Sequence, residues 1–215
     1  MKNRAVIVWE LFSAPVLPVI PSEKAKGEMV RKGIHLLIAL TPNFALISKP
    51  VTLFLLVFGM ALYTALEFLM LRGLQIPLFS RIIGAANRER DKGKFALGPL
   101  TLAAGAALSL VLFNRDCAFI AIYALAFGDG FASLVGRIFG RTRPRIFAGK
   151  SVEGSLTCFL AVYLSVLSLS RDWRLSCITA LTATIIEALP LKDWDNIIIP
   201  LSTGYTAALV MGFYF

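Results

Sequence analysis

Apolar residues in this chain come in long blocks of about 16 to 21, separated by short polar and basic stretches. An α-helix needs roughly 20 apolar residues to cross a bilayer. A chain of 215 residues has the length of one soluble domain, but these blocks predict membrane spans instead. The predicted spans are Gly33–Ser48, Val51–Leu71, Phe95–Phe113, Cys117–Gly136, Gly154–Ser170, Leu175–Leu189 and Ile197–Phe215.

The pattern therefore predicts an all-α fold, a polytopic transmembrane helical bundle of about seven spans in a single domain, residues 1–215. The stretch Ala5–Ile20 contains a glutamate and two prolines, and it is a possible eighth membrane segment. No small-residue cleavage pattern follows it, so we do not expect a cleaved signal peptide. We interpret residues 1–28 as an N-terminal membrane or interfacial segment and residues 29–215 as the core.

Composition agrees with the membrane class. The chain is 57% apolar and 16% charged, and its mean hydropathy is +0.75. Soluble domains carry about 25% charged residues. Its three cysteines, Cys117, Cys158 and Cys177, show no paired metal spacing and are interpreted as small apolar helix residues. With one histidine in the chain, we do not expect a zinc site of the usual His and Cys kind.

Basic residues are concentrated in alternate loops between the predicted spans. One set of loops holds Lys24, Lys26, Arg31, Lys32, Arg72, Arg81, Arg88, Arg90, Lys92, Lys94, Arg137, Arg141, Arg143, Arg145, Lys150 and Lys192; the other holds Lys49, Arg115, Arg171 and Arg174. The positive-inside rule places the first set in the cytoplasm and predicts a multi-pass protein of the cell membrane. The net charge of +9 then reflects topology and attraction to anionic lipid, not a nucleic-acid partner. The pattern predicts no particular oligomeric state.

Asp129 lies inside an apolar run, with a glycine on each side. A charge within a membrane segment is costly, so it usually faces the bundle interior and marks a working site. The predicted topology brings other polar residues to the same depth near the cytoplasmic side: Arg31, Lys32, His35, Glu67, Lys150, Ser151, Glu153, Ser155, Glu187, Asp195 and Asn196. This cluster predicts a reaction or binding event at the inner leaflet that uses a cytosolic reagent.

The stretch from Gly149 to Ser155, GKSVEGS, combines glycines, hydroxyls and charges in a way that suits phosphate binding. It is not a nucleotide-binding P-loop, because Pro144 stands where the first glycine of that motif belongs. The glycines around Asp129 do not form a dinucleotide fingerprint either, because Ser133 replaces its third glycine.

Three motifs together resemble the polyprenol kinase family, which includes dolichol kinase, phytol kinase and CTP-dependent diacylglycerol kinase. The central motif is Gly128-Asp129-Gly130-Phe131-Ala132-Ser133-Leu134-Val135-Gly136, then Gly140, then Gly149-Lys150-Ser151-Val152-Glu153-Gly154-Ser155. Arg31-Lys32-x-x-His35 precedes it, and Glu187-Ala188-Leu189 with Asp195-Asn196 and Pro200 follows. The resemblance implies a multi-pass enzyme that moves the γ-phosphate of a nucleotide, typically CTP, onto a membrane lipid hydroxyl.

Phosphoryl transfer depends mainly on positioning and charge neutralisation, which assigns roles to these residues. Asp129 is the leading candidate for binding Mg²⁺ or accepting the hydroxyl proton; Glu153 is a further metal or catalytic candidate, and Glu187 a further metal candidate. Lys150 would act in catalysis by holding the triphosphate. Further candidates for nucleotide binding are Arg137, Arg145, Gly149, Ser151, Gly154, Ser155 and Asn196, with Arg31, Lys32, His35, Glu67 and Asp195 as supporting residues.

Other interpretations of the same residues remain open. Arg31 and Lys32 would also serve as interface anchors, Glu67 would also snorkel to water, and the residues before the last helix would also cap it. At the level of the whole protein, the alternatives are a CTP:phosphatidate cytidylyltransferase-like enzyme, a membrane transporter and a structural scaffold. The lysine-aspartate and His-Gly-Gly signature expected of the transferase is absent. A transport path should continue through the outer half of the membrane, where few polar residues lie.

Overall fold

The computed structural model describes residues 22–74, 94–144 and 149–213, with side chains from residue 29 onward. Every regular element in these ranges is helical, which confirms the all-α part of the predicted fold class. The helices are α1 (Ser22–Leu37), α2 (Thr41–Leu71), α3 (Gly98–Leu112), α4 (Arg115–Tyr123), α5 (Gly130–Ile138), α6 (Val152–Ser170), α7 (Trp173–Ala188) and α8 (Asp195–Val210). A 3₁₀ turn, Ile38–Leu40, joins α1 to α2, and a π-helical segment, Ala124–Asp129, joins α4 to α5. The predicted N-terminal segment Ala5–Ile20 lies outside the described residues.

The helix starts follow from local sequence. Asn114 caps α4 by accepting a hydrogen bond from the amide of Cys117 at 3.0 Å. Asp172 caps α7 by accepting from the amides of Arg174 and Leu175. These side chains satisfy amide groups that have no partner within their own helix.

One long apolar run, Met29–Leu71, covers the first two predicted spans. Its 43 residues would extend about 65 Å if straight, roughly twice the thickness of the bilayer core. Ser48 interrupts the helix with extended backbone angles, two residues before Pro50. Proline lacks an amide hydrogen and clashes with the preceding turn, which explains a kink where the predicted spans separate.

Three described helical runs are long and apolar enough to cross a membrane: Met29–Leu71, Arg115–Ile138 and Val152–Ser170. Gly98–Leu112 is apolar but shorter, and α7 and α8 have 16 residues each, which is about 24 Å. The bilayer core is about 30 Å thick, so length alone does not qualify these shorter helices as spans. The protein is thus a helical membrane protein, while the count of seven spans stays a prediction.

The run Arg115–Ile138 forms the centre of the bundle. In its most apolar window 67% of the residues are buried, compared with 6% in Met29–Leu71. Helices α3, α6 and α8 pack around α4, α6 continues along the π segment and α5, and α1 packs on α5. Ile120, Ile122 and Leu125 are therefore completely enclosed. A polar group in the buried middle of this run, such as Asp129, is enclosed by the surrounding helices.

Candidate functional site

The π-helical segment Ala124–Asp129 places a carboxylate in the middle of the bundle. Asp129 closes this segment and is only 4% exposed. Its flanking glycines allow close packing: a Cβ atom on Gly128 would lie 2.8 Å from Val162, and one on Gly130 would lie 2.8 Å from Leu36. Single π turns inside α-helices occur frequently at functional sites. The local geometry therefore supports the prediction that Asp129 is the centre of a site.

Lys32 of α1 is the direct partner of Asp129. Its Nζ lies 2.5 Å from Asp129 Oδ2 and also donates to the main-chain oxygen of Asp129 at 3.3 Å. Both side chains are about 5% exposed or less. A buried charge is tolerated only when it is paired and hydrogen-bonded, so each of these residues depends on the other.

His35, one helical turn after Lys32, contacts the same segment. Its Nε2 lies 3.0 Å from the carbonyl oxygen of Leu125 and 3.3 Å from Asp129 Oδ2. A carbonyl oxygen can only accept a hydrogen bond, so Nε2 carries the proton. Lys32 and His35 thus both contact Oδ2 of Asp129. Among the described contacts, Oδ1 meets only the hydroxyl of Ser133, at 3.4 Å, which leaves this oxygen as the one a ligand would use.

A second, partly buried ion pair lies between the start of α6 and the end of α7. Lys150 Nζ is 3.1 Å from Glu187 Oε1 and also donates to the main-chain oxygen of Glu187. Ser155 donates its hydroxyl to Glu187 Oε2 at 3.3 Å. The Lys150 side chain is 27% exposed, whereas that of Glu187 is 5% exposed. Lys150 is therefore the cation that a ligand can reach at this pair.

The two ion pairs lie on elements that pack on one another. A Cβ atom on Gly128, next to Asp129, would lie 3.3 Å from Sγ of Cys158, and Cys158 follows Ser155, which contacts Glu187, by about one helical turn. Asp195 is buried in the first turn of α8. The two pairs are therefore neighbours within the bundle.

The start of α6 is built for close helix contact. Ser151 caps the helix by accepting from the amide of Gly154 at 3.1 Å, and its hydroxyl lies 3.4 Å from the main-chain oxygen of Gly136. A Cβ atom on Gly154 would lie 2.8 Å from the carbonyl oxygen of Ala132. Part of the predicted phosphate-binding motif therefore serves to bring α5 and α6 together.

Three other predicted residues make contacts away from Asp129. Glu153 accepts the amide of Thr142 at 3.0 Å, in the loop before α6. Asn196 donates from Nδ2 to the carbonyl oxygen of Gly98 and to the hydroxyl of Thr101, which ties α8 to α3. Glu67 is buried and accepts the amide of Ala96 at 3.3 Å.

For the remaining predicted residues, the position and the exposure of the side chain are what the structure describes. Arg137 is exposed in the last turn of α5, Gly149 is exposed in the loop, and Arg31 is half-buried beside Lys32. Arg145 lies outside the described residues. Within the described ranges, no group of three or more His, Cys, Asp or Glu side chains is placed to hold a metal ion. A Mg²⁺ site formed by Asp129, Glu153 and Glu187 stays a prediction.

The sequence predicted Lys32 as a supporting residue at the depth of Asp129, but not as its direct partner. It predicted no role for Ser133 or Arg143. The available signal was spacing: Lys32 and His35 are three residues apart, and Asp129 and Ser133 are four apart, so each pair shares a helix face. Pairing across helices 97 residues apart could not be obtained from spacing.

The fold and the site together define a helical membrane protein with paired charges buried between apolar helices. The chain is 31% identical to chloroplastic phytol kinase 1 of Arabidopsis thaliana over 163 residues, which is 67% of this chain and 54% of that protein. It is 31% identical to CTP-dependent diacylglycerol kinase 1 of Eremothecium gossypii over 88 residues, or 41% of this chain and 27% of that protein. An uncharacterized protein of Methanocaldococcus jannaschii is 29% identical over 182 residues, 83% of this chain and 91% of that protein.

These matches confirm the resemblance seen in the motifs. The chain belongs to the polyprenol kinase family, which includes the phytol kinases and the CTP-dependent diacylglycerol kinases. It spans about half the length of the phytol kinases it matches. No family model matches the chain, and no solved structure matches it.

Proposed function

We propose that this protein is a CTP-dependent lipid-alcohol kinase, which transfers the γ-phosphate of CTP to the hydroxyl of a membrane lipid at the cytoplasmic leaflet. The observation that carries the proposal is the presence of two lysine–carboxylate pairs, Lys32–Asp129 and Lys150–Glu187, between apolar helices that pack on one another. A nucleotide triphosphate needs cations, and a lipid hydroxyl needs a proton acceptor at membrane depth. The names of the relatives support both the kinase class and the nucleotide.

The residues suit the two halves of the reaction. Lys150 binds the triphosphate, since it is the more exposed of the two lysines, and Lys32 keeps Asp129 ionised and oriented. The lipid oxygen bonds to the γ-phosphorus while the bond from that phosphorus to the β,γ-bridging oxygen breaks, releasing CDP. Asp129 takes the hydroxyl proton at Oδ1, the oxygen that neither Lys32 nor His35 contacts.

Mg²⁺ is the metal expected with a nucleotide triphosphate, and it is usually held by one or two carboxylates together with phosphates and water. Asp129 and Glu187 fit that donor set, because among the contacts that the structure describes each has a lysine on one oxygen and only a hydroxyl on the other. When bound, Mg²⁺ would neutralise charge that develops on the phosphates. Glu153 is a weaker candidate, since both its oxygens contact the amide of Thr142.

Purified protein in lipid micelles, given CTP labelled in its γ-phosphate, should transfer label to a lipid alcohol and release CDP. The acceptor panel contains a phytol-like isoprenoid, a long polyprenol and diacylglycerol, since each carries a hydroxyl on an apolar body. ATP labelled in the same position tests the choice of nucleotide. Release of pyrophosphate with cytidine in the lipid product would overturn the kinase and establish a cytidylyltransferase instead.

The inner-leaflet location leads to a separate prediction on topology. Single cysteines placed near Arg90 and Arg143, in a protein lacking the three native cysteines, should react with a membrane-impermeant thiol reagent from the cytoplasmic side. This result follows because lysine and arginine are retained in cytoplasmic loops. Reaction of both from the opposite side would contradict the proposed leaflet without affecting the proposed chemistry.

A further inference from the structure

Arg143 bridges the end of α5 and the residue before Lys150. Arg143 donates from Nη1 to the carbonyl oxygen of Gly149 at 2.6 Å and from Nη2 to that of Gly136 at 2.7 Å. Gly136 belongs to α5, whereas Gly149 immediately precedes Lys150. A guanidinium is a rigid planar fork, so these two bonds hold the two carbonyl groups at a set separation. Arg143 thereby connects the end of α5 to the backbone that carries Lys150.

Thr142, the residue before Arg143, is hydrogen-bonded to the first turn of α6. The amide of Val152 donates to the carbonyl oxygen of Thr142 at 2.9 Å, and the amide of Thr142 donates to Glu153 Oε1 at 3.0 Å. Thr142 is therefore held through both of its backbone polar groups by the first turn of α6. Because Arg143 is the next residue, Glu153 also limits how far the arginine can move.

Lys150 needs such support because its side chain is long and flexible. Gly149 has φ of +94°, a left-handed conformation that side-chain-bearing residues rarely adopt, so the chain turns sharply just before Lys150. The ammonium group then reaches Glu187 at 3.1 Å. An ammonium on four methylene groups is placed reproducibly only when its backbone is fixed.

We propose that Arg143 is a positioning residue that fixes Lys150 for phosphate binding, with Glu153 acting alongside it by holding Thr142. This inference rests on the proposed kinase function. It gives Glu153 a role different from metal binding, since its carboxylate is engaged by loop amide groups. The proposal also gives Arg143 a role different from that of the other loop arginines, because its guanidinium donates to two main-chain carbonyl oxygens.

The test compares Arg143→Lys with Arg141→Lys. Both substitutions keep a positive charge in the same loop, but only Arg143 bridges two carbonyl groups; Arg141 is exposed. With CTP as donor, we expect kcat for Arg143→Lys to fall by about 10- to 100-fold, as misplacement of a binding group by about 1 Å would produce. Arg141→Lys should behave as the wild type. An equal loss in both variants, or in neither, would overturn the positioning role.

Glu153 supplies a second comparison that does not depend on Arg143. Glu153→Gln keeps an oxygen that accepts the amide of Thr142, so it should retain most activity and an unchanged Mg²⁺ requirement. Glu153→Ala removes that acceptor and should lose activity as Arg143→Lys does. If Glu153→Gln were as inactive as Glu153→Ala and needed more Mg²⁺, Glu153 would be a metal ligand, and the proposal that it acts by holding Thr142 would be wrong.

Hydrogen exchange measured by mass spectrometry gives a readout that needs no activity. Amide groups of residues 149–155 should exchange faster in Arg143→Lys than in the wild type, and should be unchanged in Arg141→Lys. If the wild type transfers no phosphate while this exchange difference is present, the kinase proposal is wrong but Arg143 does fix the backbone around Lys150. If the wild type is active and the exchange is unchanged in Arg143→Lys, Arg143 does not fix that backbone and the kinase proposal is unaffected.

Discussion

Asp129→Asn is expected to lower turnover by about 10²-fold or more, the scale associated with loss of a general base. Asparagine has nearly the same size and can accept hydrogen bonds at its oxygen, but it carries no negative charge. It would therefore not accept the hydroxyl proton, and its neutral amide oxygen would hold Mg²⁺ more weakly than a carboxylate does. The measurement is the rate of γ-phosphate transfer from CTP to the preferred lipid alcohol at saturating concentrations of both.

The matched control is Asp116→Asn, the same change on the first turn of α4. The Asp116 side chain is 57% exposed and pairs with Arg115 at the surface, so its loss should leave turnover unchanged. Because Asp129→Asn leaves Lys32 without its counter-ion, the folded fraction of each preparation is measured first. Wild-type turnover in folded Asp129→Asn protein would contradict the assignment, and Glu187 would become the leading carboxylate.

Lys32→Met is expected to destabilise the protein more than any surface substitution. Methionine fills a similar volume, but it leaves the Asp129 carboxylate buried among apolar helices without its lysine counter-ion. Removing one member of a buried ion pair typically costs about 3–5 kcal/mol. The measurement is the free energy of unfolding in detergent micelles, with Lys49→Met as the control, because Lys49 is exposed beside the kink in α2.

The double variant Lys32→Met with Asp129→Asn separates stability from chemistry. Neither buried charge remains in it, so most of the lost stability should return, as expected for two residues that interact directly. Its turnover should remain as low as that of Asp129→Asn. If Lys32→Met were as stable as Lys49→Met, the ion pair would contribute nothing to the fold. If the double variant were as unstable as Lys32→Met, the loss would come from packing and not from the unpaired charge.

Much of the architecture was predictable from local pattern. Apolar blocks of membrane length predicted helices where α3 to α8 occur, and Ser48 with Pro50 marks the break between the first two predicted spans. This works because a helix satisfies its own backbone hydrogen bonds, so its existence depends mainly on the residues within it. Asp129 was identifiable for a related reason, since a charge inside an apolar block needs a partner whatever the fold.

Which charged residues pair with each other, in contrast, depended on the tertiary structure. The Lys32–Asp129 and Lys150–Glu187 pairs join residues far apart in the chain, and many pairings would have satisfied the same charges. The same holds for Glu153 and Asn196, whose residue types suit metal or nucleotide binding but whose side chains hold a loop and a neighbouring helix. Sequence determines which groups must be neutralised, because that cost is intrinsic to each residue. Helix packing alone decides which group neutralises which, because hydrogen bonds act only over about 3 Å.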